Sequence, residues 1–318
     1  MKVLQKYSQT ITSSAIFVGL LKMGEGKKIW HWIVLAVLSL IWGTSYILMK
    51  KGLESFSLYQ VGALRVIITL IFLSPIAVHS LPKLNKENFR SVIIIGFLGS
   101  GIPAFLFPLA QSRIDSSLAG MLNTLNPVFT LVTGILFYRR KVIRSQIAGV
   151  TLGLIGAIGL LYSGSFTFNF YGLFVVLATI MNGFSSNEVS RVKGLNGLQL
   201  TALSFLVFSP FAIIILLNSD FHAAMETENW LRNLGCIAIL SIIGSALANA
   251  LFYKLIRETS PLFGAISAYF IPIVATLWGL ADNEHLTSSM FVSVTIILVG
   301  VYIINRQEIL KKIRKQDK

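Results

Sequence analysis

The feature that most constrains this chain is a succession of apolar runs of about 20 residues each, separated by short polar breaks almost from end to end. A run of that length and character is what a helix needs to cross the hydrocarbon core of a bilayer. Ten such runs are expected, near residues 31–49, 58–79, 91–111, 117–137, 145–163, 169–189, 198–217, 234–255, 261–281 and 287–304. Composition agrees: 13% of the residues are charged, against roughly 25% in soluble domains, and a water-soluble fold is excluded. Most breaks are short, so consecutive helices should be antiparallel neighbours; only 218–233 leaves room for further structure.

The formal charge of +14 raises nucleic acid as a partner until the basic residues are placed. With the N-terminus inside, 22 of the 27 Lys and Arg fall in cytoplasmic segments, four in external loops and one, Arg65, within a span. Cytoplasmic loops carry such an excess, so both termini are expected in the cytoplasm of a plasma (inner) membrane and nucleic-acid binding is unnecessary. The partners implied are the lipid bilayer and a small-molecule substrate.

Residues 1–29 stand apart, because the apolar stretch Ala15 to Leu21 is too short to span and no good cleavage site follows it. Either Met23 is the true start or the segment lies on the membrane surface as an amphipathic helix. The remainder divides into a first five-helix repeat over 30–165, a second over 166–305 and a basic tail over 306–318.

The division rests on an offset of 145 residues, which sets GSGIPAFLFP (from Gly99) over GSALANALFY (from Gly244) and Pro127 over Pro272. After one single-residue deletion Arg140 falls on Glu284 and Gly156 on Gly300; the first helices align more weakly, by Gly43 on Gly183. Five helices per half is an odd number, so the second copy must enter from the opposite face, giving two inverted repeats. Inverted repeats exchange inward- and outward-open states about a midplane site. A secondary transporter is therefore expected; the alternatives are a passive facilitator or channel and, more distantly, a membrane-embedded enzyme.

Segments IWGTSYILMKKGLESFSLYQVGALR (41–65), SSLAGMLNTLNPVFTLVTGILF (116–137), QIAGVTLGLIGAIGLL (146–161) and GAISAYFIPIVATLWGLADNEHLT (264–287) resemble the EamA-type family of the drug/metabolite transporter superfamily. The resemblance covers about 31–305 and implies a ten-helix carrier that exports or exchanges amino acids, related metabolites or foreign compounds. It also implies a cavity bounded by the first, third, fourth, sixth, eighth and ninth helices. One departure is visible: the acidic residue expected at the end of the fourth helix is matched by Glu284 in the second half, whereas the first half has Arg140.

Polar groups at membrane depth are costly and face the bundle interior by default. Substrate-cavity candidates are accordingly Trp42, Thr44, Asn123, Asn126, Asn182, Asn249 and Tyr269. Pro127 and Pro272 are expected to break their helices in equivalent places, the first freeing the carbonyl of Asn123. Two charges are candidates for substrate binding or coupling. Arg65 either holds an anionic substrate or anchors helix-end carbonyls, and Glu188 either pairs with Arg191 one turn on or couples protons. The glycines Gly149, Gly153, Gly156 and Gly159 form a smooth seam for a helix partner, within the chain or in a homodimer. Cys236 is single, the four histidines sit at run edges or in loops, and no phosphate-cradling GxxxxGK[ST] loop is present. No metal, cofactor or catalytic residue is expected.

Overall fold

A computed structural model describes residues 27–162 and 168–314, with side chains to Asn305; the expectations for the N-terminal segment otherwise lie outside the described residues. These residues form helices α1 (Lys27–Leu53), α2 (Leu58–Ser80), α3 (Lys86–Gln111), α4 (Ser116–Tyr138) and α5 (Arg144–Leu161) in the first half. The second half holds α6 (Gly172–Val189), α7 (Gly197–Leu217), α8 (Trp230–Glu258), α9 (Pro261–Ala281) and α10 (Ser288–Arg314). The described residues contain no strand, and the chain is an all-α membrane protein. Nine of these helices are long and apolar enough to cross a membrane; α6 is the exception, because Asn182, Asn187 and Glu188 dilute its apolar length. The connection 218–233 contains a short helix, Phe221–Met225; Thr227 after it and Asn233 of α8 both bind the Ser55 hydroxyl in the loop between α1 and α2.

Local chemistry sets several helix starts. Ser57 and Asn196 each accept the N–H three residues on, while Gln60 and Gln199 reach back to the cap backbone. These reciprocal bonds satisfy donors that an open helix end would leave bare. Interruptions recur at matching places in the two halves. A π-helical stretch occupies Gly96–Gly101 in α3 and Leu240–Leu247 in α8. A 3-10 turn occupies Asn123–Leu125 in α4 and Ile266–Tyr269 in α9, each just ahead of its proline. The turn changes the expected effect of Pro127, since the Asn123 carbonyl is not free: it accepts the Asn126 N–H, a tighter bond that replaces the one proline cannot make.

Close approaches repeat as well. Gly43 of α1 lies against Val274 of α9, and Gly183 of α6 lies against the Phe129–Thr130 backbone of α4, in both cases two or three residues past the proline. No side chain fits at either glycine. The seam on α5 is filled within the chain: Gly149 faces the Gly300 carbonyl and Gly156 faces Ile297 and the Ser293 carbonyl, all on α10. Small residues let these backbones meet.

Candidate functional site

A cavity of about 90 Å³ lies between the two halves. Its walls follow helical periodicity, in which residues i, i+3, i+4 and i+7 share one face. Trp42, Ser45, Tyr46 and Met49 come from α1, and Ser100, Pro103, Ala104 and Phe107 from α3. Asn123 and Asn126 come from α4, Asn182, Ser185 and Ser186 from α6, and Asn249, Phe252 and Tyr253 from α8. Arg65 of α2 and Phe205 of α7 complete the wall.

Of the residues singled out in the sequence, the structure brings Trp42, Asn123, Asn126, Asn182, Asn249 and Arg65 together around this cavity. Thr44 points elsewhere and accepts the indole N–H of Trp278 at 3.0 Å. Tyr269 is drawn toward α10, its hydroxyl accepting from Asn305 Nδ2 at 3.3 Å. No α9 side chain lines the cavity, because the α9 positions matching Asn123 and Asn126 are Ala268 and Ile271, both packed in the core. Ser100 and the aromatics of the wall other than Trp42 were missed. For Tyr46, Phe252 and Tyr253 the available signal was their one-turn spacing from Trp42 and Asn249.

The polar groups of the wall differ in how far they are engaged. Trp42 Nε1 donates to the Gly244 carbonyl at 3.1 Å, and its ring meets Phe252 edge-on with centroids 5.0 Å apart. Gly244 belongs to the π-helical stretch of α8, where the wider turn leaves carbonyls off the regular ladder. Thr69 takes another of them, donating to Ser241 O at 3.0 Å. Asn126 Oδ1 accepts from Thr130 at 3.2 Å, whereas the side-chain amides of Asn123, Asn182 and Asn249 have no protein partner among the described residues and face the cavity. Arg65 Nε donates to Ser245 Oγ at 2.8 Å.

Glu188 lies outside the cavity, in a side pocket with Arg90, Arg191 and Lys193. Its carboxylate accepts from Ser91 Oγ and Tyr138 OH, both at 2.6 Å, and Arg191 stacks over the Tyr138 ring, 5.3 Å from its centroid, in place of an i, i+3 ion pair. At the opposite end of α4 Glu284 is the centre of a larger cluster. It accepts from Lys50 Nζ at 2.7 Å, from the Ser116 and Ser117 N–H groups at 2.9 Å each and from Ser116 Oγ at 2.7 Å. Glu284 therefore caps α4, a role that Asp115, at the N-cap position, leaves unfilled. Lys50 and Lys51 also bind Asp282 at 2.7 Å, and Lys51 binds Glu54. Burial pushes the Glu284 carboxyl upward, but the bonds from Lys50, Ser117 and Ser116 outweigh it and hold the group at about 2. Hydrogen bonds from Lys50 and Lys51 lower Asp282 as well.

A cavity lined by amides, aromatics and a guanidinium among apolar helices is the kind of site a membrane transporter presents. The EamA-like transporter family matches residues 9–162 and again 169–306, and the chain belongs to that family. It is 26% identical over 278 residues to the uncharacterised inner membrane transporter YedA of Escherichia coli strain K12, covering 85% of this chain and 89% of that one. An uncharacterised transporter of Archaeoglobus fulgidus is 22% identical over 87% of this chain and 99% of its own length. Protein PecM of Dickeya dadantii is 22% identical over 87% and 95%. A solved structure titled "Crystal structure of protein" shares the fold, with a TM-score of 0.63 at 15% identity over 86% of this chain and 96% of that one.

Proposed function

We propose that the chain is a secondary carrier of alternating-access type, moving a small polar or amphipathic solute such as an amino acid, outward or in exchange. In this reading α6 is the tenth span, the two five-helix halves are inverted, and the termini lie in the cytoplasm of a plasma membrane. The observation that carries it is the cavity itself: both halves contribute to its wall, and the helix interruptions beside it recur in each. The family matching twice along the chain supports the duplication, and the 22-to-4 distribution of basic residues supports the orientation.

Purified protein in liposomes should show saturable uptake and counterflow of a carried solute. Flux that neither saturates nor shows counterflow would identify a passive facilitator instead. Trp42→Ala or Asn126→Leu should lower transport with the protein still folded; normal transport by both variants would refute the placement of the site.

A further inference from the structure

We propose that the central cavity selects solutes carrying a carboxylate on a small apolar body, with Arg65 as the group that receives the negative charge. This rests on the carrier reading above and names its substrate class. Arg65 is the only charged side chain among the described residues that line the cavity, and no Asp or Glu stands beside it. A guanidinium offers five N–H donors in a rigid fork suited to a carboxylate. Only Nε is used, on Ser245 Oγ, and no further partner exists among the described residues. The side chain is partly exposed, and at its place in the wall the exposure is to the cavity.

The buried carboxylates Glu284 and Glu188 lie outside the cavity and are already occupied, Glu284 by Lys50 and two serines, Glu188 by Ser91 and Tyr138. A cation at membrane depth without a counter-charge is costly. An incoming anion offsets that cost, and an incoming cation adds to it. The remainder of the wall is neutral: amides that both donate and accept, and the faces of Trp42, Phe107, Phe205 and Phe252, which suit an apolar body.

The test uses three probes of one shape and different charge, 3-phenylpropionate, 3-phenylpropionamide and 3-phenylpropylammonium, with binding to the purified full chain read by tryptophan fluorescence at pH 7. The carboxylate should bind at least about tenfold tighter than the amide, and the ammonium weakest, the margin expected for a hydrogen bond to a charged group. Arg65→Gln should bring the carboxylate to the level of the amide and leave the amide unchanged. Arg65→Lys should keep part of the preference, and Ser245→Ala, which removes a bond but no charge, should keep it. Equal affinities in the wild type, preference for the ammonium, binding of none of the three, or a carboxylate preference that survives in Arg65→Gln would each overturn the proposal. The wild-type ranking decides even if a variant does not fold. Counterflow of polar solutes in liposomes stays as a separate readout, so a cavity indifferent to charge would sink this inference and leave the carrier reading standing.

Discussion

The two ends of α4 present the same kind of group, a buried carboxylate, in opposite settings. At the Ser116 end Glu284 is fixed by a lysine, two backbone N–H groups and a hydroxyl, and Asp282 extends the cluster to Lys51. At the Tyr138 end Glu188 is held by two neutral hydroxyls, with no cation in contact among the described residues. In the sequence alignment of the two halves Glu284 falls on Arg140, so the acid that ties one end has no acidic counterpart in the first half. One carboxylate is held by charge and the other by hydroxyls.

The largest test of this contrast is Glu284→Ala, which strips Lys50 of a partner and α4 of its cap. Breaking a buried pair costs about 3 kcal/mol, and the loss should appear in unfolding of the purified protein, well beyond that of Glu188→Gln. Equal losses would break the comparison. Next come the matched glycines Gly279 and Gly134, which occupy equivalent positions at the two ends. A methyl on Gly279 would lie 2.5 Å from Glu284 Oε2 and 3.0 Å from Ser117 Cβ, whereas one on Gly134 meets its nearest atom, Asn187 Oδ1, at 3.2 Å. Gly279→Ala should therefore cost about 1–3 kcal/mol, and Gly134→Ala close to nothing once the better helix propensity of alanine is counted.

Glu188→Gln should change stability by less than about 1 kcal/mol, since no cation is left unpaired, yet abolish any dependence of transport on a pH gradient. Unchanged dependence would remove Glu188 from coupling. The smallest effect concerns acid. Because the Glu284 pKa is depressed to about 2, its stabilising contribution is complete above the ordinary carboxylate range and fades only as pH falls from there toward 2. The stability gap between wild type and Glu284→Gln should hold steady from pH 7 to about 5 and narrow below about 4.5. A gap that narrows already near pH 6 would contradict the tight bonding of this cluster.

The helices were legible because an apolar run of spanning length has little use outside a bilayer. Five of the lining residues were legible because an asparagine or tryptophan inside such a run must find a polar setting. Tyr46, Phe107 and Phe205 were not, since an aromatic side chain suits a cavity wall, a core and a lipid face alike. Thr44 and Tyr269 show the limit of reasoning by neighbourhood: each sits near cavity residues in sequence, but helix rotation and a 3-10 turn direct them to Trp278 and Asn305. The Lys50–Glu284 contact joins residues 234 positions apart. No local pattern encodes it; only the acidic position noted at Glu284 pointed to a special role. The reduced apolarity of α6 has a physical reason as well, because Asn187 is bonded to Thr130 O, Thr133 and Gly183 O, and Glu188 to Ser91 and Tyr138.

The glycine contact between α5 and α10 has a consequence for the order in which the protein is made. A methyl on Gly149 would lie 2.5 Å from the Gly300 carbonyl oxygen, and one on Gly300 2.5 Å from that of Gly149, so the backbones meet with no side chain between them. The α5 segment leaves the ribosome well before α10, its docking partner. Until then its bare glycine stripe faces lipid or a substitute. A chain halted before α10 would retain most of its apolar segments and lack the surface that seats the fifth.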